Sequence, residues 1–260
     1  MEVPSGAEFI AVLLARELKN DWKGVTPRAP IIAAACLLAR RLHAPGLWFW
    51  TGSLGVNPEP DRLYASGTDM RYLASVEAMI DFYDIFEYGE TGCDFMFYSG
   101  MQIDRRGNCN NRMSGGPGTG RPLRLGAGQA NTSHPVVDDH IFLFAPNHTP
   151  EVFVERVDFV SVAGYLDGPD DRRRLGLPGP GPELCVTNLA VLDFDPTEKV
   201  MRIKSVHPGH TVEDVRSQTG FELGAPDRVA ETVMPSEEEL HVLREIDVDG
   251  ALRRDGGQTN

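Results

Sequence analysis

The stretch Asp94-Phe-Met-Phe-Tyr-Ser-Gly-Met-Gln-Ile-Asp-Arg-Arg-Gly-Asn108 passes from a run of large apolar residues into a cluster of polar ones. Phe95 to Tyr98 has the composition of a buried strand, and Ser99-Gly100 breaks it before Gln102, Asp104, Gly107 and Asn108 follow in quick succession. An apolar strand that runs into a glycine-bearing polar segment is how open α/β sheets deliver functional groups to the carboxyl edge of the sheet. The alternative is a strand closed by a plain Arg-Arg-Gly-Asn turn.

Elements on either side fit an α/β chain. Residues 6–19 carry apolar side chains at helical spacing behind Ser5, a good N-cap. Gly24 to Pro27 reads as a short strand entering a turn. Residues 30–42 read as a second helix, with Pro30 at its first position, Arg40-Arg41 in its last turn and Ala44-Pro45-Gly46 as its stop. Leu47-Trp-Phe-Trp50 reads as a buried strand, and it runs into the small-residue segment Thr51-Gly52-Ser53-Leu54-Gly55. That order predicts a βαβ unit, with a further helix over 69–84.

Downstream, residues 109–122 show no periodicity, and five of the six residues from Gly115 to Gly120 are Gly or Pro, which predicts a mobile loop. No Gly-Lys-Ser/Thr is present, so a phosphate loop is not supported. Leu123 to His134 reads as a short strand, a Gly126-Ala127-Gly128 turn and the opening of a helix. Successive N–H groups in such a turn can hold an oxyanion, although Gly-X-Gly is also a common plain turn. Strands are predicted over 140–145, 153–162, 184–187, 190–194 and 200–206. Gly176–Pro182 reads as a hinge, and capping signals at Thr211 and Ser236 start two late helices. No repeat or domain boundary is visible. Residues 1–250 are therefore expected to form a single domain, with 251–260 a polar, frayed tail.

Composition narrows the partners. With 41% apolar and 24% charged residues the chain is ordinary globular material. A net charge of −13 argues against nucleic acid and against an anionic membrane surface as partners. No run approaches the roughly 18 apolar residues of a membrane span, and no signal peptide is evident. Cys36, Cys93, Cys109 and Cys185 lack CxxC spacing and read as free thiols of a reducing, cytoplasmic compartment. No metal is expected: His207 and His210 flank Pro208-Gly209, but a third ligand is not suggested and a turn explains them. His43, His140 and His241 read as ordinary structural histidines, and Asp167 to Arg174 as a solvated charged loop, exposed to a partner subunit or to water. The residues by themselves reach an α/β protein with Gly-rich loops at strand ends.

The ordered set Val25-Thr-Pro, Ala44-Pro45, Gly100-Met-Gln-Ile-Asp-Arg-Arg-Gly-Asn108 and Gly126-Ala-Gly128 resembles the β subunits of class I CoA-transferases, the glutaconate type above all. Val157 to Tyr165, Arg174 to Gly179, Val186-Thr187, Leu192 to Phe194, His207-Pro-Gly209 and Asp214-Val215 continue the resemblance across roughly 6–250. It implies the open NagB/RpiA/CoA-transferase-like α/β fold with a mostly parallel sheet flanked by helices. It also implies a CoA-transferase-type α subunit, as αβ or α2β2, with no permanently bound cofactor and coenzyme A entering only as part of an acyl-CoA substrate.

In that family a glutamate at the carboxyl end of the second strand attacks the thioester. Here Thr51 or Gly52 stands in its place, and the nearest downstream carboxylate is Glu59. The resemblance therefore points away from CoA transfer. It points toward hydrolytic carbon–carbon cleavage or decarboxylation of a keto- or unsaturated acyl-CoA, as in steroid-ring-opening and decarboxylating branches that lack the β-subunit glutamate. The alternatives are a genuine glutaconate- or 3-oxoacid-type transferase with its carboxylate elsewhere, and a non-catalytic scaffold subunit. Mapped onto this chain, Thr51 and Ser53 are the candidate catalytic positions. Gly126, Ala127, Gly128 and Gln129 are candidate oxyanion or CoA-binding groups. Arg71, Gln102, Asn108 and Arg124 are candidate substrate contacts, with Asp104 beside them.

Overall fold

Two helices account for much of the apolar sequence. The computed structural model describes residues 4–81, 83, 84, 87, 92–111 and 130–254. Helix α1 (Gly6–Glu17) starts at a capping box in which the Ser5 hydroxyl accepts from the Glu8 N–H and the Glu8 carboxylate accepts from the Ser5 N–H. Helix α2 (Pro30–Leu42) has Pro at its start and is buried continuously from Ile31 to Ala39. Each fully buried Ile or Leu there contributes about 1.5–3 kcal/mol.

The chain divides into two units, residues 1–88, 93–97 and 234–260 in one and residues 89–92 and 98–233 in the other. In the first, β1 (Lys23–Val25) pairs in parallel with β2 (Trp48–Trp50) on one side and with β5 (Phe95–Tyr98) on the other. The short strands β3 (Gly55–Val56) and β4 (Ala78–Met79) extend the sheet beyond β2 in antiparallel fashion. Helix α6 (Glu237–Ile246) packs on α1 and α2, tied down where its Arg244 donates to the buried Glu8 carboxylate at 2.9 Å.

The second unit holds β8 (His140–Ala145) parallel to β10 (Pro182–Thr187), then the antiparallel strands β11 (Ala190–Phe194) and β12 (Met201–Val206), with β13 (Ala230–Glu231) parallel to β12. A separate sheet places β6 (Gln102–Asp104) between β7 (Cys109–Asn110) and β9 (Phe153–Val154). Helices α3 (Ala130–Val137), α4 (Asp171–Arg174) and α5 (Val212–Ser217) complete this unit.

Several local expectations change. The βαβ unit expected here forms as β1, α2 and parallel β2, but the small-residue segment after β2 is a tight hairpin turn into antiparallel β3. The helix expected over 69–84 is a short 3-10 helix at Met70–Ser75, capped by Asp69, followed by β4. Val76 is extended there and the chain returns to the sheet edge, where the Glu77 N–H donates to Val56 O. The strand expected over 153–162 is only Phe153–Val154, with Val162 making a single bridge to Cys109. The expected tail begins as α7 (Ala251–Arg254): Leu252 is fully buried, and the Asp247 carboxylate accepts from the N–H groups of Ala251 and Leu252.

The opening stretch is a buried strand followed by a tight hairpin turn. After β5, residues 102–110 form the β6–β7 hairpin closed by Asp-Arg-Arg-Gly-Asn, with Gly107 at φ +71°. Gly164 must lack a side chain because a Cβ there would lie 2.3 Å from the Gly107 carbonyl carbon. The segment 164–166 therefore lies directly against this turn.

Candidate active site

In the first unit, the parallel strands β1 and β2 end side by side. Thr26, just past β1, donates from its N–H to Trp50 O at 2.9 Å. Thr51 then opens a four-residue turn: its N–H donates to Gly55 O and its carbonyl accepts from Leu54 N–H, both at 2.9 Å. Leu54 sits at φ +69°, a left-handed conformation that is unusual for a leucine and that the hairpin imposes. The turn brings the Thr51 and Ser53 hydroxyls to 2.7 Å of each other. Thr51 is fully buried and Ser53 nearly so.

A third segment closes over this turn. Gly67 donates to Arg28 O at 2.8 Å, and the Ser66 and Thr68 hydroxyls lie 2.8 Å apart. A Cβ at Gly52 would stand 2.7 Å from the Thr68 methyl group, so the position that follows Thr51 has room for glycine only unless Thr68 moves. The result is a neutral mouth of hydroxyl groups at the carboxyl ends of two parallel strands, where α/β proteins place their ligands.

Among the described residues, no carboxylate or imidazole hydrogen-bonds to Thr51 or Ser53. The carboxylates that follow the turn are engaged elsewhere. Glu59 is exposed and paired with Arg40, Glu77 accepts from Asn57 Nδ2 at 3.0 Å, and Asp69 holds Arg71. One hydrogen is spent between the two hydroxyls and Thr51 Oγ1 also faces Gly55 O at 3.4 Å, so the hydrogen left for a carbonyl oxygen or a water molecule is at most that of Ser53. The two hydroxyls cannot form the acyl anhydride on which CoA transfer depends, because that requires a carboxylate.

The remaining candidate residues separate. Arg71 makes a two-point contact with Asp69, at 3.0 and 2.7 Å, and lies over the Tyr64 ring at 4.3 Å. The hydrogen bond from Arg71 holds the Asp69 carboxyl below its ordinary range. A substrate carboxylate at Arg71 has to compete with Asp69. The guanidinium lines a cleft of about 400 Å³ with Asp61, Arg62, Tyr64 and Asp249.

In the second unit, Gln102 is spent on its neighbours: Oε1 accepts from Asn110 Nδ2 at 2.8 Å and from the Asp158 N–H at 3.0 Å. Asn108 is spent more completely. Its Nδ2 donates to Asp104 and to Leu166 O, and its Oδ1 accepts from the N–H groups of Gly164 and Leu166. Both side chains brace the hairpin against its packing partner. Burial raises the Asp104 carboxyl above its ordinary range, opposed by the hydrogen bonds from Asn108 and Arg106. Gly126, Ala127, Gly128, Gln129 and Arg124 lie outside the described residues.

Two residues outside the candidate set are buried and hydrogen-bonded. His207 is buried with Nε2 2.8 Å from Thr187 O and Nδ1 2.9 Å from Thr232 Oγ1, so neither ring nitrogen is available to a metal. Arg172, from the supposed solvated loop, is buried, and its guanidinium donates to the carbonyl oxygens of Gly179, Ala163, Gly164 and Pro135. It holds the end of α3 against the loops at 163–164 and 179. A run of three arginines carries no signal of which one turns inward.

No family model matches the chain. Curated relatives do. It is 30% identical over 246 residues to the β subunit of the glutaconate CoA-transferase of Acidaminococcus fermentans, covering 92% of this chain and 90% of the relative. The chain belongs to the class I CoA-transferase family, as a β-type subunit. This β subunit is also 30% identical over 241 residues to the IpdB subunit of a cholesterol ring-cleaving hydrolase of Mycobacterium tuberculosis, covering 92% and 93% of the two chains. The crystal structure of the Acidaminococcus glutaconate CoA-transferase superposes on the β subunit with a TM-score of 0.85 at 25% identity, covering 99% and 98%. The CoA-transferase-like α/β fold expected from the resemblance is the fold of this chain. No helix among the described residues is long and apolar enough to cross a membrane.

Proposed function

We propose that this β subunit works with a CoA-transferase-type α subunit, as αβ or α2β2, on an acyl-CoA thioester. The pair cleaves a carbon–carbon bond hydrolytically or decarboxylates a keto- or unsaturated acyl chain, and it does not carry CoA on the enzyme. One observation carries this reading: the turn at the carboxyl end of β2 holds Thr51, Gly52 and Ser53 as a neutral hydroxyl pair with no carboxylate bonded to it among the described residues. The likeness to a ring-cleaving hydrolase subunit supports the hydrolytic form.

On this reading the hydroxyls of Thr51 and Ser53 orient the attacking water or the substrate carbonyl. N–H groups of Gly126, Ala127, Gly128 and Gln129 take up the developing oxyanion. Arg71 and Arg124 are the cationic groups offered to a substrate carboxylate. The general base comes from the partner chain. Coenzyme A enters and leaves with the substrate, and no other cofactor is invoked. The second reading, a genuine transferase, is favoured by the likeness to the β subunit of glutaconate CoA-transferase and places the carboxylate outside the β2 turn. A scaffold role for this chain is the third.

Mass spectrometry of products separates these readings, using the chain co-expressed with an α-type subunit, a panel of 3-oxoacyl-CoA thioesters, and arms with and without an acceptor carboxylate. Carbon–carbon chemistry gives a product that keeps CoA and gains water or loses CO2 in both arms. A new acyl-CoA formed only with the acceptor overturns the proposal in favour of transfer, and full turnover by the α subunit alone leaves this chain a scaffold.

A further inference from the structure

A buried histidine in the second unit belongs to none of this chemistry. His148 lies in the loop between β8 and β9, 3% exposed, with its ring stacked on Phe153 at a centroid distance of 4.0 Å. Nε2 is 2.9 Å from Thr219 Oγ1, and Nδ1 is 3.0 Å from Thr187 Oγ1.

The partners define the tautomer. Thr219 commits its hydroxyl hydrogen to Val215 O at 2.7 Å, so it accepts from His148, and Nε2 bears the proton. Nδ1 is then unprotonated and faces Thr187 Oγ1, whose single hydrogen lies between Nδ1 and Ala190 O, the latter at 3.1 Å. Thr187 Oγ1 already accepts the N–H groups of Leu189 and Ala190, at 3.1 and 3.0 Å. Both lone pairs of Thr187 Oγ1 are therefore used. A second proton on His148 would point an N–H at an oxygen with no acceptor capacity left.

Among the described residues, the groups around the ring offer no negative charge to compensate. The end of β10 presents Thr187 and Asn188, whose Oδ1 accepts the His148 N–H; β9 presents Phe153, and the segment after α5 presents Thr219. The titratable neighbour is His207 at the end of β12, with His210 beyond it, and its effect is to oppose protonation. Of the charged groups of α5, Asp214 closes the Thr211 capping box, Arg216 donates to Leu223 O, and Glu213 is exposed to solvent.

The two sides of the ring differ in strength. Thr187 is held inside the sheet between β8 and β11, whereas Thr219 follows a six-residue helix of which only Val215 is buried. Besides His148, that segment is tied to the loop by Gly220, whose N–H donates to Phe153 O at 2.7 Å within a parallel bridge to Val154, and its helix packs on β12. We propose that His148 is an acid-released latch that pins residues 211–221 to the loop at 148–154 and frees them when its ring takes a second proton.

Burial holds the His148 pKa down to about 3, against an ordinary 6.5. Proton linkage between those values makes the open form about 30-fold more populated at about pH 5 than at about pH 7.5. Hydrogen–deuterium exchange of the full chain, corrected for intrinsic rates, reads this directly. Peptides covering 211–221 are expected to lose protection by about that factor, while peptides of β8 and β10 keep theirs, and His148→Gln is expected to abolish the pH response. Equal protection of 211–221 at both pH values overturns the proposal, as does an equal loss in wild type and H148Q. If H148Q does not fold, exchange at the His148 ring carbon decides in the wild type. A midpoint near 6.5 with 211–221 still protected refutes the latch, and a midpoint well below it that coincides with opening supports it.

Discussion

Replacing Asn108 by alanine tests whether the turn after β6 is scaffold or substrate contact. The side chain accepts from Gly164 N–H at 2.9 Å and Leu166 N–H at 3.0 Å, and it donates to Leu166 O and to both oxygens of Asp104. Truncation orphans two backbone N–H groups, the Gly164 one buried, at about 1–3 kcal/mol each. It also strips a donor from Asp104, a carboxylate already penalised by burial. The expected loss is about 2–6 kcal/mol, a large part of the stability of an ordinary domain. At roughly 2–4 °C per kcal/mol for a chain of this size, a mid-range loss of about 4 kcal/mol lowers Tm by about 8–16 °C. Urea unfolding followed by far-UV circular dichroism gives the free energy, and steady-state kinetics of the assembled enzyme gives KM. Asn108→Asp keeps the acceptor but loses the donor and sets a second carboxylate against Asp104, so it should fail almost as badly. A loss below about 1 kcal/mol combined with a tenfold or larger rise in KM would refute the scaffold assignment.

Two further substitutions probe the supports of the two units. Glu8→Ala removes a buried carboxylate that accepts from Ser5 N–H and from Arg244, and should cost about 3–5 kcal/mol, as breaking a buried pair does; an equal loss in an Arg244→Ala background would show that the pair is not coupled. Burial alone would raise the Glu8 pKa, but the hydrogen bonds from Arg244 and Ser5 outweigh it and the net shift is downward. That contribution is present above the unfolded carboxylate range and is lost as pH falls through the folded value, so Glu8→Gln should flatten the acid limb of stability against pH. Arg172→Met leaves four carbonyl oxygens without their donor and should destabilise by about 3–5 kcal/mol, read by urea unfolding, whereas a solvated arginine would give a change within about 0.5 kcal/mol.

The parts legible in the sequence are those governed by local rules. Ser5 with Glu8 forms the capping box of α1, and Pro30 ahead of a continuous apolar run gives α2. The Gly107 turn is legible as a turn, but the partner it packs on is not, because only long-range contact shows that Asn108 is consumed by residues 164–166. The β2–β3 hairpin is hidden for a specific reason: its αL position is occupied by Leu54, where Gly or Asn is the usual occupant. Arg172 and His148 carry no signal, since burial of one arginine in a triplet, or of a lone loop histidine, is decided by carbonyl and hydroxyl groups distant in sequence. The Thr51–Ser53 pair lies between these cases. Its place at a strand end is legible, but the 2.7 Å contact of its hydroxyls depends on the turn.

That contact also bears on the chemistry. A nucleophilic mechanism at this edge needs a carboxylate, or a hydroxyl with a base beside it. Thr51 has neither among the described residues, and the Thr68 methyl group lies over the only neighbouring position, Gly52, at which another side chain would enter. Restoring a carboxylate at Gly52 requires the exposed Thr68 side chain to move, because a Cβ there would stand 2.7 Å from its methyl group. Glu59 is no substitute: it is exposed, and a covalent role would first have to break its pair with Arg40. A β subunit built in this way can shape and polarise a substrate carbonyl, but the charge that drives bond cleavage has to be supplied from outside the β2 turn. On the proposed reading it comes from the α-type partner.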